Sequence, residues 1–124
     1  MAKAKTILLV EDDPFLVDIY TTKFKEAGFD ITVAADGNQA IKMMQDRKFD
    51  LVLLDIVLPH LDGWEVLEKV KADPNLQDQK VVVLSNLGQK QEIDRALALG
   101  ANKYLIKAHY TPSEVAEEAR LILD

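Results

Sequence analysis

Short, uninterrupted apolar runs alternate with amphipathic segments along this chain, and that alternation restricts the fold more than any other feature. The runs are Thr6–Val10, Ile31–Ala35, Leu51–Leu54, Val81–Leu84 and Tyr104–Ile106. Each is rich in Val, Ile or Leu. Continuous apolarity marks strands buried on both faces, as in a parallel sheet. Between the runs lie helical patterns. Pro14–Ala27 carries Phe15, Ile19 and Phe24 and stops at Gly28. Asn38–Arg47 carries Ala40, Ile41 and Met44, and Gly63–Ala72 carries Val66, Leu67 and Val70 before Asp73-Pro74. Gln89–Leu99 carries Ile93, Ala96 and Leu97 and stops at Gly100. The last helix opens on Thr111-Pro112-Ser113-Glu114, a capping box with proline at the first helical position. Five strands alternating with five helices predict an α/β domain, with a parallel sheet, right-handed crossovers and helices on both faces.

Composition narrows the function. The 124 residues make one domain. The absence of cysteine excludes disulfides, iron–sulfur clusters and thiol nucleophiles. Asp and Glu number 21 against 15 Lys and Arg, a net charge of −6. A sequence-independent grip on nucleic acid needs a basic face, so neither nucleic acid nor an anionic membrane is expected as a direct partner. The apolar run after Met1–Lys5 is only Ile7–Val10, short of the roughly 7–15 residues of a secretory signal. A cytoplasmic location is the expectation.

In a doubly wound sheet, ligands bind beyond the C-terminal strand ends, at the switch point of the topology. Here the first run ends in Glu11-Asp12-Asp13, the third in Asp55, the fourth in Ser85-Asn86 and the fifth in Lys107. Carboxylates about 5 Å apart at an effective dielectric near 20 repel by about 3 kcal/mol per pair. Such a cluster holds protons or binds a cation. Oxygen ligands without His or Cys suit Mg²⁺. A carboxylate can also accept a phosphoryl group, which a lysine and a hydroxyl then hold. Asp13 precedes Pro14 and reads as a helix cap. His60 and His109 read as exposed, and Trp64 as packing at the start of the third helix.

On these residues the chain resembles the receiver domains of two-component response regulators. The resemblance rests on Ile7-Leu8-Leu9-Val10-Glu11-Asp12-Asp13, on Leu53-Leu54-Asp55-Ile56-Val57-Leu58-Pro59 with Asp62-Gly63, and on Ser85 and Lys107. The intervals agree, with 30 residues from Asp55 to Ser85 and 22 from Ser85 to Lys107. It implies a flavodoxin-like fold with strand order 2-1-3-4-5, a single receiver domain over residues 1–124 and no output domain. It further implies that Asp55 is the phosphoacceptor, that Asp12 binds Mg²⁺ directly and Glu11 through a bound water, and that the Val57 carbonyl is a further ligand. Ser85 would hold the phosphoryl group and move with it as part of the switch, Lys107 would pair with its oxygens, and Tyr104 would be the aromatic member of the switch. The implied partners are a histidine kinase or phosphotransfer protein and a downstream protein, with the chain a monomer or a weak phosphorylation-dependent dimer. The resemblance makes it a signalling switch rather than an enzyme. The family usually follows its lysine with proline; here Ala108 stands there. A trans Lys107–Ala108 bond is expected, with Ala108–Tyr110 rerouted to keep Lys107 at the pocket.

Other readings of the residues are weaker. A dehalogenase-like phosphatase would need Asp-x-Asp, and Val57 stands two after Asp55. A nucleotide- or flavin-binding domain would need a phosphate-cradling loop after the first strand, where this chain has Glu-Asp-Asp. A receiver-like scaffold that works without phosphorylation has no need of the intact Glu11, Asp12, Asp55, Ser85 and Lys107.

Overall fold

The structure, a computed structural model, describes residues 3–124. The elements alternate as β1 (Thr6–Val10), α1 (Pro14–Glu26), β2 (Asp30–Ala34), α2 (Gly37–Asp46), β3 (Leu51–Leu54), α3 (Gly63–Ala72), β4 (Val81–Ser85), α4 (Lys90–Ala98), β5 (Lys103–Ile106) and α5 (Pro112–Leu123). A single 3₁₀ turn at Lys107–His109 follows β5. The strands form one parallel sheet in the order β2-β1-β3-β4-β5. Every expected strand and helix is present, with ends moved by a residue or so. Met1 and Ala2 of the basic N-terminal stretch lie outside the described residues. No helix among them is long and apolar enough to cross a membrane.

The period-2 geometry of the strands divides the core in two. Leu8, Val10, Val52, Leu54, Val81 and Val83 meet Ala40 and Met44 of α2, Val66, Leu67 and Val70 of α3 and Ala96 of α4. Ile7, Leu9, Leu51, Leu53, Val82 and Leu84 meet Tyr20 and Phe24 of α1 and Val115, Ala116 and Ala119 of α5. The β1–β3 register is pinned at its lower end, where Asp50 accepts from the Thr6 N–H at 2.7 Å and the Thr6 hydroxyl at 3.1 Å. Because the register is fixed there, residues one step beyond the two strands come side by side at the upper end.

Helix starts are capped by the side chains the sequence supplies. Asp13 accepts from the Phe15 and Leu16 N–H groups, as expected, and so stands apart from the carboxylates of the pocket. Asp36 and Asp62 cap α2 and α3 through Gln39 and Glu65, and the Thr111–Glu114 box caps α5. Two glycines allow the upper loops to close. A Cβ at Gly63 would lie 2.3 Å from the Asp55 carbonyl oxygen, and one at Gly37 would lie 2.1 Å from the Leu61 carbonyl oxygen. On the outer surface, the Arg95 guanidinium of α4 stacks 4.2 Å from the ring centre of Trp64 in α3 and lies 3.7 Å from Glu68.

His60, in the loop between β3 and α3, has φ of 65°. Histidine tolerates this left-handed region better than most residues, and a β-branched residue does not. Replacing His60 with Val should therefore cost about 1–2 kcal/mol, whereas His60→Gly should stay within about 0.5 kcal/mol of the parent because its freedom and its entropy cost offset. Urea denaturation of the two variants checks the pair; equal effects would rule out backbone conformation as the cause.

Candidate phosphoryl-acceptor and metal site

The order of the strands reverses between β1 and β3, so the switch point lies over their C-terminal ends. One further ladder bond on each side carries the chain into it. The Glu11 N–H donates to the Ala34 carbonyl at 3.0 Å, and the Asp55 N–H to the Val10 carbonyl at 3.1 Å. These bonds seat Glu11 and Asp55 next to each other, buried to 2% and 7% residual exposure. Asp12 is exposed at the mouth. Carboxylate oxygens of Glu11, Asp12 and Asp55 lie within 4.8 Å of one another.

Among the described residues, one cation is bonded to two of these three carboxylates. The Lys107 ammonium donates to Glu11 Oε1 at 2.5 Å and to Asp55 Oδ2 at 2.8 Å. The remaining carboxylate oxygens meet the backbone. Glu11 Oε2 accepts from the Asp12 and Asp13 N–H groups at 3.1 and 3.2 Å, and Asp55 Oδ1 accepts from the Val57 N–H at 3.3 Å. Burial pushes the Glu11 carboxyl above the usual carboxylate range, with the Asp55 charge adding to it; the Lys107 ammonium pulls against this and does not cancel it. Burial likewise pulls the Lys107 ammonium down, but hydrogen bonds to Asp55 and Glu11 and their charges outweigh it and hold its pKa above the ordinary lysine value.

The donor set fits a hard divalent cation. It is all oxygen, its three carboxylates carry two more charges than the single ammonium neutralises, and one of the three is open to solvent. Such a site can hold a metal against Glu11, Asp12 and Asp55 and present the Asp55 oxygen to an electrophile beside it.

The remaining expected residues form a second group. Ser85 ends β4 fully buried, and its hydroxyl accepts from the Leu87 N–H at 3.3 Å. The Tyr104 hydroxyl of β5 donates to the Leu87 carbonyl. Burial pushes the Tyr104 phenol up, and the negative charge of Glu92 adds to this. Among the described residues, neither hydroxyl is hydrogen-bonded to the carboxylates. The main chain of Leu87 is thus held at its N–H and at its carbonyl by the two residues that the resemblance assigns to the switch. Val57, at the rim, is 62% exposed. His60 and His109 are exposed, and Trp64 packs against the core from the first turn of α3. The Lys107–Ala108 bond is trans, since no cis bond occurs among the described residues. The segment Ala108–Tyr110, expected to be rerouted, takes the form of a tight turn at Lys107–His109 followed by an extended Tyr110; that the Tyr110 side chain packs on the core was not foreseen.

The chain is similar to known proteins over nearly its whole length. Residues 7–120 match the response regulator receiver domain family. The chain is 41% identical over 101 residues to the transcriptional activator protein PfeR of Pseudomonas aeruginosa, an alignment covering 82% of this chain and 32% of PfeR. It is 34% identical over 123 residues to the alkaline phosphatase synthesis transcriptional regulatory protein PhoP of Bacillus subtilis, covering 96% of this chain and 48% of PhoP. The chain thus spans about half the length of these curated relatives, or less. Among solved structures, the BeF3-activated N-terminal receiver domain of Klebsiella pneumoniae RstA superposes with a TM-score of 0.87 at 28% identity, covering 96% of this chain and 98% of that one. With the family match extending from β1 into α5 and the acidic pocket lying over the β1–β3 switch point, the chain belongs to the receiver domains of response regulators.

Proposed function

We propose that this domain is a switch set by phosphorylation of Asp55. The observation that carries the reading is the Lys107 ammonium bonded to Asp55 and Glu11 inside a cluster of three carboxylates. An Asp55 oxygen attacks phosphorus of a phosphohistidine on a kinase or phosphotransfer protein. The P–N bond breaks, its electron pair stays on the imidazole nitrogen, and an aspartyl phosphate remains on the domain. Glu11, Asp12 and Asp55, with the Val57 carbonyl, would hold Mg²⁺, which supplies charge neutralisation for the transferring group. Lys107 then turns from the Asp55 carboxylate to the phosphoryl oxygens, and Ser85 donates its hydroxyl to one of them. That contact draws on the hydroxyl that now accepts from the Leu87 N–H, so the loop after β4 is the element that has two positions. Tyr104 is tied to the same loop and carries the change to the face of α4, β5 and α5. The chemistry on this reading is confined to gain and loss of the domain's own phosphoryl group. A downstream protein reads the altered face.

The direct test is intact mass after incubation with acetyl phosphate and MgCl2. One phosphoryl group is expected on the wild type, none on Asp55→Asn and none on the wild type in excess chelator. Full incorporation into Asp55→Asn would sink the assignment.

A further inference from the structure

Lys107 follows β5, the strand at the edge of the sheet, yet its ammonium reaches carboxylates that follow β3 and β1. Adjacent strands lie about 4.8 Å apart, so β3 is two spacings away, roughly 10 Å, and β1 three. An extended lysine stem covers about 6 Å, and the Asp55 and Glu11 side chains reach back toward it by about 4 and 5 Å. With hydrogen bonds of 2.8 and 2.5 Å these lengths span the gap with little left over, above all toward Glu11. The contact therefore depends on where the backbone at Lys107 lies as well as on the rotamer.

Few interactions fix that path. On the strand side, Ile106 packs over the β4–α4 loop, with its Cδ1 2.9 Å from where a Cβ on Gly88 would lie. On the other side the chain makes the single turn Lys107–His109, closed by the Tyr110 N–H to the Lys107 carbonyl at 3.4 Å, the weak end of the hydrogen-bond range. Ala108 and His109 are exposed. Thr111 is also exposed, and its side chain is engaged in capping α5. Tyr110 is different. Its backbone is extended, and its side chain packs against the core cluster formed by β1, β3, β4, α1 and α5. Between Lys107 and the first turn of α5, it is the residue whose side chain joins that core.

We infer that Tyr110 is the positioning residue that aims Lys107 at the acceptor site, by anchoring the turn from which the lysine stem departs. The inference rests on the reading of Asp55 as phosphoacceptor. It separates two functions of one pocket. Metal affinity belongs to Glu11, Asp12 and Asp55, which β1 and β3 hold rigidly. Affinity for the phosphoryl group belongs also to Lys107, which Tyr110 holds.

The experiment titrates beryllofluoride, a phosphoryl mimic, in the presence of Mg²⁺, and Mg²⁺ alone, into wild type, Asp55→Asn, Tyr110→Ala, Tyr110→Phe, Lys107→Ala and the Tyr110→Ala/Lys107→Ala double variant, after denaturation curves show each to be folded. Tyr110→Ala should weaken beryllofluoride about tenfold or more, while Mg²⁺ binds as in wild type or tighter, because a cation has moved away from its ligands. Tyr110→Phe keeps the ring and should behave as wild type. The double variant should bind beryllofluoride as Lys107→Ala does, since a residue acting through another adds nothing once that other is gone. Should Tyr110→Ala not fold, Tyr110→Val suits the extended backbone, shortens the anchor and should show the same split at smaller amplitude. Equal weakening of Mg²⁺ and beryllofluoride, or full additivity with Lys107→Ala, would overturn the inference while leaving Asp55 as acceptor. Failure of wild type to bind beryllofluoride, or undiminished binding by Asp55→Asn, would overturn the acceptor reading and the inference together.

Discussion

Lys107→Met is expected to remove about 3–5 kcal/mol from the stability of the metal-free protein, and Mg²⁺ is expected to restore most of it. Breaking a buried ion pair by deleting one partner costs this much because the remaining charge stays buried and unpaired. Lys107 is the cation bonded to Glu11 and Asp55, and its own side chain is only 9% exposed. Methionine keeps the stem, so the loss reports charge rather than packing. A divalent cation supplies the missing charge to the same carboxylates. The pH dependence has a definite sign. In the wild type the Lys107 pKa is raised, so its contribution is full below about 10.5, the ordinary lysine value, and fades as pH climbs through the folded value. In the variant Glu11, whose carboxyl burial already raises, takes up a proton as pH falls and relieves the unpaired charge, so the deficit should be larger at pH 8 than at pH 5. Urea denaturation with and without MgCl2 measures both effects. A loss below about 1 kcal/mol, or an equal deficit with and without Mg²⁺, would contradict the ion pair as the element that holds the pocket together.

A phosphoryl group on Asp55 should be long-lived, with a lifetime nearer hours than seconds. Its loss requires a water to attack phosphorus in line with the Asp55 oxygen. Two residues are tied by their main chains to the oxygens flanking that approach: the Val57 N–H donates to Asp55 Oδ1, and the Leu87 N–H to Ser85 Oγ, each at 3.3 Å. Neither side chain can accept a proton or orient a water. Positioning of the attacking water is a large part of phosphoryl-transfer catalysis, and each ~1.4 kcal/mol of barrier left in place lengthens the lifetime tenfold. Val57→Asn and Leu87→Glu should each speed decay by about tenfold, and more when combined. The decay of phosphorylated protein in Mg²⁺ buffer, followed by intact mass, decides the matter. Wild-type decay within seconds, or an unaltered rate in the double variant, would refute the argument.

The parts of this molecule that follow from periodicity were legible in the sequence. Buried strands such as Leu51–Leu54 and Val81–Ser85 announce themselves because both faces are apolar, and Thr111-Pro112-Ser113-Glu114 writes out a helix start. The edges were less clear. Lys103 pairs in β5 although it is charged, because its ammonium leaves the sheet to meet Glu118 at 2.7 Å. Asp30 opens β2 through its N–H to the Lys5 carbonyl, a tertiary bond with no local signature. For the site, the strand-end rule pointed to Glu11, Asp12, Asp55 and Lys107, and the structure brings these four together, because register fixes what lies one or two steps past each strand. That Glu11 would be the deepest of the carboxylates was not legible, since adjacent acids look alike until the ladder bond to Ala34 turns one inward. Nor was the work of Gly37, whose missing side chain matters only because Leu61 comes to lie against it.

The stacking of Arg95 on Trp64 gives the protein an optical property. Trp64 is the chain's sole tryptophan, and its ring is covered by a cation carried on a different helix, α4. Indole emission responds to a charge at that distance, so the natural fluorescence of the unlabelled protein is a gauge of the spacing between α3 and α4. Any event that slides α4 along the sheet becomes visible in a cuvette, without a dye and without a partner.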